Sequence, residues 1–516
     1  MQSVNDFLRY WATIRPNRDV AVCGDRRLGW GGLLRDSGAV AATLQGMGVS
    51  KGDRVGLMLD NSLEWVVAYL GILQAGAVLV PLNPRYGNFE VRAIEEDAEC
   101  VVLISQASLG LALGDRFSVD GDGVLICPRN AVGQGCVTLE ESLAAGGEPE
   151  YVRLTRGDLA AICYTSGTTG LPKGAMYAHG GIIDNVFAQA LAQNLTSEER
   201  ALIVAPLAFT GAVICILTLM LVLGGCSVIE RSFEPERVLP IITGERITHL
   251  CGVPAIWERI ARLDDFETAD FSGMKLGLTG GAPVPAHLIS LFLQRGLVIR
   301  QTYGCTEGGG MNAVTSLWAA LERPHTCGEA LISSGLMIAG PDGNAVPGNE
   351  IGEIWLRGPQ TMIGYWRKPE ATAEAFSGEW FKTGDLGRID DRGQLIVVDR
   401  KKNMVISGGV NIYPAEIERA MSMIGGIIDV AVFGIKDAEW GEKVVAVVFL
   451  APAAVLTDIE AEASRLLGSF KVPRSIVQSP TPLPRTATNK VSRQDLPAIY
   501  QQLTGQSIEA LAASVA

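Results

Sequence analysis

The sequence predicts an α/β protein, with a large N-terminal domain of αβα-layered sheets and a small α+β C-terminal domain joined to it by a hinge. Three observations carry that reading. Short apolar runs alternate with helix-patterned stretches through the first 300 residues, the βαβ order that builds parallel sheets flanked by helices. The texture changes after about residue 350, where strand patterns predominate. Among those strands lies a charged run, Asp399-Arg-Lys-Lys-Asn403. Spacing alone leaves that run as either a solvated turn or a hinge. As a hinge it divides the chain into residues 1–400 and 401–516.

The elements follow in order. Arg54-Val-Gly-Leu-Met-Leu59 reads as a strand, Ser62 to Gln74 as a helix and Ala77-Val-Leu-Val-Pro81 as the next strand. The same order recurs near 101–104, 201–204 and 276–278, with Gly and Pro at the turns. Residues 201–229 carry no charge and include the apolar run Val213 to Leu223. That run is shorter than the ~20 residues a membrane span needs, and Pro206, Gly211, Gly224 and Gly225 interrupt its flanks. It reads as a buried core helix. Farther on, Glu353 to Arg357, Gly393 to Val398, Val430 to Phe433 and Val444 to Leu450 read as strands. Pro414 to Met423 and Thr457 to Leu467 read as helices.

Composition narrows the function classes. The chain has 516 residues, 48% of them hydrophobic and 19% charged, which excludes a disordered protein and allows several units of roughly 150 residues. Lys plus Arg number 43 against 56 Asp plus Glu, a net charge of −13, which argues against a nucleic-acid partner. Ten cysteines, none in a CxxC, all precede residue 328. They read as free thiols in a reducing compartment and not as a disulfide frame or zinc site. The N-terminus lacks the basic-then-apolar order of a signal peptide, so a cytoplasmic protein without an integral membrane segment is expected.

The strongest chemical signal is Tyr164-Thr-Ser-Gly-Thr-Thr-Gly-Leu-Pro-Lys-Gly-Ala-Met176, placed directly after the apolar run Leu159 to Tyr164. Glycines leave its backbone free to aim N–H groups at an anion. Thr165, Ser166, Thr168 and Thr169 add hydroxyl donors, and Lys173 adds a mobile cation. This is polyphosphate chemistry, but not a P-loop of the GxxxxGK[ST] type, because Pro172 precedes the lysine and Gly174 follows it.

The segment resembles the phosphate-binding signature of the adenylate-forming superfamily: acyl- and aryl-CoA synthetases, peptide-synthetase adenylation domains and beetle luciferases. The family's other motifs follow in order. Gly280-Gly-Ala-Pro283 resembles the adenine-side loop, Gln301-Thr-Tyr-Gly-Cys-Thr-Glu307 the YGxTE motif and Trp380-Phe-Lys-Thr-Gly-Asp385 the TGD motif. Asp399-Arg400 with Ser407 to Glu418 resembles the hinge and the first C-terminal element. Pro484-Arg-Thr-Ala-Thr-Asn-Lys490 resembles the catalytic-lysine motif.

The resemblance implies a carboxylate–CoA ligase using ATP, Mg²⁺ and coenzyme A on a small-molecule carboxylic acid. It implies catalytic roles for Lys490, Thr306 and Glu307, with Glu307 also the Mg²⁺ ligand. ATP or AMP falls to Thr165, Ser166, Gly167, Thr168, Thr169, Gly170, Lys173, Gly281, Ala282, Thr302, Tyr303 and Gly304, and to Asp385, Val397 and Arg400. Tyr303 offers a flat face for adenine, Asp385 can accept both ribose hydroxyls, and Lys490 bridges substrate carboxylate and α-phosphate. Phe209, Thr210, Gly280, Cys305, Gly308 and Gly309 are assigned to the acyl pocket. Arg85, Gly408, Gly409, Trp440, Phe470 and Lys471 are assigned to CoA, and Lys402 to the pivot. For Arg85 and Trp440 a purely structural role remains open.

Two departures stand out. Asn489 takes the place of the family's usual glycine, a residue that tolerates left-handed backbone. Phe209 stands where many CoA ligases carry histidine. No acidic residue occurs from 201 to 229 to hold an α-ammonium group, which points to an acid without one. Gly308-Gly-Gly310 either leaves room for an alkyl, aromatic or polycyclic tail or serves the fold alone. The chain ends soon after Lys490 with no carrier domain, which favours free CoA. The rival readings are a stand-alone enzyme that loads a carrier protein and a non-catalytic nucleotide-binding module. A homodimer is compatible with all three.

Overall fold

The structure, a computed structural model, describes residues 1–110, 123–129, 135–165, 172–281, 284–437, 440–468, 470–485 and 491–505, without the side chains of 110, 286 and 287. The chain divides into two compact units, residues 1–337 with 355–383, and residues 338–354 with 384–516. This division by compactness is a different matter from the pivot expected after residue 400.

The first unit holds two large sheets. One has nine strands in the spatial order Glu329–Ala330, Ala313–Val314, Ile299–Tyr303, Leu276–Gly280, His249–Gly252, Arg200–Ile203, Cys226–Ile229, Asp19–Cys23 and Arg26–Gly29. The six strands from Ile299–Tyr303 to Asp19–Cys23 are mutually parallel. Parallel strands are covered on both faces, which is why these read as unbroken apolar runs. On one face Trp257, Phe266, Phe271 and Phe292 pack edge to face, with Trp257–Phe292 centroids 5.0 Å apart.

The other sheet has seven strands: Val137–Thr138, Val124–Pro128, Val102–Gln106, Arg54–Met58, Val78–Pro81, Leu159–Thr165 and Lys173–Ala178. Its expected βαβ unit is present. The helix Leu63–Gln74 starts where the Ser62 hydroxyl accepts the Trp65 N–H at 3.2 Å, and every residue of it except Glu64 is buried.

The uncharged stretch is helical and buried, as expected, but it is not one regular helix. Thr210–Ala212 and Leu219–Leu223 are α-helical, and Val213–Thr218 between them is a π-helix. The Thr218 hydroxyl donates to Val213 O at 2.7 Å and meets the Tyr69 hydroxyl at 3.0 Å, which satisfies the wide turn. Gly224, at φ +81°, ends the helix in the left-handed region. Among the described residues, no helix is long and apolar enough to cross a membrane.

One expectation is corrected. Cys127 and Cys136 form a disulfide, with Cα atoms 4.4 Å apart, while the other eight cysteines form none. Antiparallel pairing of Leu125 with Thr138 and Ile126 with Val137 brings the two cysteines together, a tertiary fact that their separation of nine residues does not announce.

A five-stranded sheet, Gly335–Ala339, Gly352–Arg357, Trp380–Ile389, Phe376–Ser377 and Leu395–Arg400, contains the strands within which the chain passes from one unit to the other. The rest of the second unit is built on Val410–Ile412, Val405–Ser407, Gly441–Leu450, Ile427–Asp437 and Ser475–Gln478. Alternation along Gly441–Leu450 supplies both faces of this sheet. Val444, Ala446 and Val448 join Ile417, Met421 and Ile459 on one side; Val445 and Val447 join Leu483, Leu496 and Tyr500 on the other.

Candidate active site

In the first unit the strands Leu159–Thr165 and Lys173–Ala178 pair antiparallel, with Thr165 opposite Lys173. The two ends of the phosphate-type loop are therefore fixed side by side. The expected donors Ser166, Gly167, Thr168, Thr169 and Gly170 lie outside the described residues, as do Ala282, Asn489 and Lys490.

The strand Ile299–Tyr303 runs into a tight turn closed by Gly309 N–H to Thr306 O (2.9 Å) and Gly310 N–H to Cys305 O (2.9 Å). This turn presents the Glu307 carboxylate to two hydroxyls. Thr165 Oγ1 donates to Glu307 Oε1 at 3.2 Å and Tyr365 OH donates to the same oxygen at 3.0 Å. Among the described residues Oε2 has no hydrogen-bond partner, and Glu307 has no cation in ion-pair range. Tyr177 OH donates to Thr306 O and fixes the turn from below. Lys173 Nζ stands 5.3 Å from the centroid of the Tyr365 ring, a cation–π distance. Burial, and then the Glu307 charge, push the Tyr365 phenol up, so it stays a neutral donor. A lone carboxylate with a spare oxygen beside a polyphosphate loop fits Mg²⁺, which binds through one or two carboxylates plus phosphate oxygens.

Gly280 pairs with Thr302 across adjacent parallel strands, and a Cβ on Gly280 would run into the Thr302 hydroxyl. Gly281 continues at φ +78°. Gly304 packs against the Gly310 backbone. Tyr303 is buried, and its carbonyl accepts the Asn312 N–H at 2.8 Å. Phe209, half-buried, precedes the helix that starts at the buried Thr210.

The space beside the turn glycines is filled. A Cβ on Gly308 would strike Asn312 and come within 2.9 Å of Leu356. Gly309 has φ +90° and faces the Gln360 carbonyl. Backbone packing therefore requires both glycines. Gly310, at φ +103°, is filled as well: a Cβ there would lie 2.4 Å from the buried Cys215 sulfur. Arg85 is exposed, beside Arg231 in a shallow concavity of about 30 Å³.

In the second unit, antiparallel pairing sets Asp385 opposite Arg400 and Gly387 opposite Val397. Arg400 Nε lies 3.4 Å from Asp385 Oδ1. The charged run is highly organised. Asp399 accepts three N–H groups: Arg400 backbone at 2.6 Å, Asn403 side chain at 3.0 Å and Ala415 backbone at 2.7 Å. The last of these caps the helix Pro414–Met421 from a distant strand. Lys402 lies among like charges. Burial, then Arg400 and Arg493, lower its pKa, and Asp385 opposes them.

Of the residues assigned to CoA, Gly408 and Trp440 are brought together. Gly408 N–H donates to Trp440 O at 2.9 Å, and a Cβ on Gly408 would come within 2.9 Å of the indole. Arg474, which the motifs did not single out, stacks 4.8 Å from the Trp440 centroid. Gly409 continues the turn at φ +79°. Lys471 Nζ pairs with Glu416 at 2.5 Å and lies 5.5 Å from the Phe470 ring, which is 53% exposed. The segment bearing Lys490 is bracketed by an Arg485–Val491 bridge. Arg485 pairs with Asp429 at 2.7 Å, and Arg493 Nη2 donates to both Glu418 carboxylate oxygens at 2.7 and 2.8 Å while Nη1 donates to Val432 O.

Two large sheets and a smaller mixed unit, with a hydroxyl-held glutamate bonded to the last described residue before the Gly/Ser/Thr motif, suit a nucleotide-activating enzyme. The chain belongs to the AMP-binding enzyme family: the family model matches residues 8–366, and the model of the AMP-binding enzyme C-terminal domain matches 416–490. It is similar to feruloyl-CoA synthase of an Amycolatopsis species, 36% identical over 495 residues that cover 94% of this chain and 96% of that protein. It is also similar to the long-chain-fatty-acid–CoA ligase FadD13 of Mycobacterium tuberculosis, 31% identical over 505 residues, 97% of this chain and 99% of that one. Among solved structures it resembles ATP-bound MatB from Rhodopseudomonas palustris, with TM-score 0.86, 28% identity, and coverage of 97% and 99% of the two chains.

Proposed function

We infer that this protein is an AMP-forming acid–thiol ligase, which joins a carboxylic acid to coenzyme A through an acyl-adenylate and releases AMP and pyrophosphate. Relatives covering almost the whole chain ligate fatty, aromatic and polycyclic acids, and an acid of those classes is the substrate here. The observation that carries the reading is the Glu307 carboxylate, held by Thr165 and Tyr365 with one oxygen left over.

In this reading Mg²⁺ neutralises phosphate charge when bound, and Glu307 holds it. Attack of the acid on the α-phosphorus builds charge on phosphoryl oxygens, where Thr306, Lys173 and Lys490 aim donors. Asp385, steadied by Arg400, accepts the ribose hydroxyls. The CoA thiol then displaces AMP. Gly408 and Gly409 keep side chains out of the pantetheine path beside Trp440, and Arg85, Phe470 and Lys471 meet the CoA nucleotide. The segment 401–516 moves relative to 1–400 about Lys402 between the two steps. We place the protein in the cytoplasm, with no nucleic-acid partner, which the net charge of −13 supports; this reading is compatible with a homodimer.

The test is acid-dependent ATP–pyrophosphate exchange, followed by AMP release with CoA present. Absence of exchange with every acid in a fatty, aromatic and polycyclic panel would sink the reading. A requirement for a carrier protein in place of CoA would redirect it.

A further inference from the structure

Thr165 and Tyr365, whose hydroxyls share Glu307 Oε1, belong to distant parts of the chain, yet their immediate neighbours converge on one residue, Asp97. Tyr164, beside Thr165, donates its hydroxyl to Asp97 Oδ2 at 2.7 Å. Trp366, beside Tyr365, donates its indole N–H to Asp97 O at 3.1 Å. Lys368, in the same segment, reaches Asp97 Oδ1 at 2.6 Å. Adjacent side chains of a strand point to opposite faces. A strand end held by Tyr164 on one side therefore presents Thr165 on the other, where Glu307 stands. The two segments are also laced to each other: Trp366 N–H donates to Gly174 O at 2.7 Å, and Gly174 pairs with Tyr164.

Asp97 stands in the last turn of the helix Asn88–Ala98, where the helix dipole disfavours an anion. Glu95 and Glu96 precede it, and that turn holds no basic residue. The cation such an end calls for comes from Arg54, whose guanidinium donates to Ala98 O at 2.8 Å and Glu99 O at 3.1 Å and lies 5.1 Å from the Trp366 ring centroid. Helix stability thus does not account for a carboxylate at position 97. Its two oxygens take one donor from each segment, and that does account for it. Burial, and then the bond to Asp97, keep the Tyr164 phenol a neutral donor.

We propose that Asp97 is a positioning residue for adenylation: by tying Tyr164 to Trp366 and Lys368 it holds the Thr165 and Tyr365 hydroxyls on one oxygen of Glu307 and so keeps the other for Mg²⁺. The proposal rests on the ligase reading and adds to it a residue that touches neither substrate nor metal.

The experiment measures ATP binding by calorimetry, with Mg²⁺ and with EDTA, in the wild type, Asp97→Ala and Asp97→Asn. Pyrophosphate release and thioester formation from supplied acyl-adenylate are followed on the same proteins. Asp97→Ala should cut the gain in ATP affinity that Mg²⁺ confers by about 10-fold while affinity in EDTA stays within about twofold, the effect of losing a group that orients a metal ligand. The kcat of pyrophosphate release should fall by about 10- to 100-fold, and thioester formation should hold. Asp97→Asn, whose amide can accept from Lys368 and donate to Tyr164, should recover most of each loss. A lower melting temperature with the Mg²⁺ gain and kcat unchanged would overturn the assignment and leave Asp97 a structural tie; equal loss of ATP affinity with and without Mg²⁺ would do the same. If Asp97→Ala does not fold, Tyr164→Phe and Lys368→Met each cut one tie. A reduced Mg²⁺ gain in either supports the assignment, and an unchanged gain in both overturns it. A wild type that gains from Mg²⁺ but adenylates no acid removes the ligase reading alone, with Asp97 still decided by the binding comparison. A wild type with no Mg²⁺ gain removes the proposal.

Discussion

Glu307 and Asp399 are both carboxylates at the junction of a strand and a turn, and they are held in opposite ways. Asp399, in the second unit, spends its lone pairs on three N–H groups that close its own turn and cap a helix. Glu307, in the first unit, takes two hydroxyls on one oxygen and keeps the other. A carboxylate offers about four acceptor sites. One residue has used nearly all of them on structure, and the other has kept its capacity. Two acidic residues in motifs of similar standing thus separate into a fastener and, in the proposed reading, a site for exchangeable ligands. Partner chemistry makes the distinction, and burial follows it: Asp399 is buried and Glu307 is half-buried.

The largest effect that can test this contrast comes from the residue proposed to act with Glu307. Lys490→Ala should lower acyl-adenylate formation by about 100-fold or more, as loss of an aimed donor does. Thioester formation from supplied acyl-adenylate should survive, and equal loss in the two assays would remove Lys490 from the first step. Glu307→Gln keeps the shape and deletes the charge. It should cut adenylation by about 10- to 100-fold and flatten the Mg²⁺ titration while the melting temperature holds. A fall in melting temperature with an unchanged titration would make Glu307 a fastener after all.

Lys402→Pro comes next. Proline fixes φ near roughly −65° and restricts Lys401 before it, so one orientation of the C-terminal segment should be trapped. Single-turnover pyrophosphate release near normal with thioester output down about tenfold is the expected split. Normal steady-state output would return Lys402 to an ordinary turn residue. Asp399→Ala should leave the Mg²⁺ response alone and destabilise the second unit by about 1–3 kcal/mol, the cost of stranding the Ala415 N–H. Denaturant unfolding checks this, and a shifted metal titration would break the contrast from the other side.

The smallest effect at physiological pH concerns two histidines of the first unit. Burial lowers His179 and His249 to about 4. Both are neutral when folded, whereas the unfolded chain protonates near 6.5. The unfolded state therefore binds more protons between those values, and stability falls as pH drops from about 6.5 toward 4, by up to ~3 kcal/mol per histidine. His249→Gln should flatten that slope in a pH series of unfolding curves; an unchanged slope would place the acid sensitivity elsewhere.

Much of the fold was legible. Apolar runs bounded by Gly and Pro became the parallel strands, and Ser62 marked its helix start, because burial on both faces and capping leave signatures within a few residues. The motif residues Thr165, Glu307, Asp385 and Arg400 could be singled out from the sequence, and the structure sets Thr165 against Glu307 and Asp385 against Arg400. Tyr365 was not. It reaches Glu307 from 58 positions away, through a bridge between Ala175 and Tyr365 that only the folded chain creates. The Cys127–Cys136 bond escaped for the same reason. The sequence left Gly308 and Gly309 as either room for a tail or a need of the fold, and the contacts a Cβ would make with Asn312, Leu356 and Gln360 favour the fold. A Gly309→Leu variant would report on folding and not on acid size.

The π-helical turn at Val213–Thr218 has a consequence for heredity as well as for packing. One surplus residue sets Thr210 and Ala212 about 100° out of step with Leu219 to Leu223. The later residues are locked into the core by the Trp11 indole and the Gly224 stop. Loss of a single codon within 213–218 would restore a plain α-helix and rotate the upstream end, with Thr210, off the Gly310 face while leaving the core register untouched. A one-residue deletion, ordinarily a fault that runs the length of a helix, would here be confined to the turns before Val213.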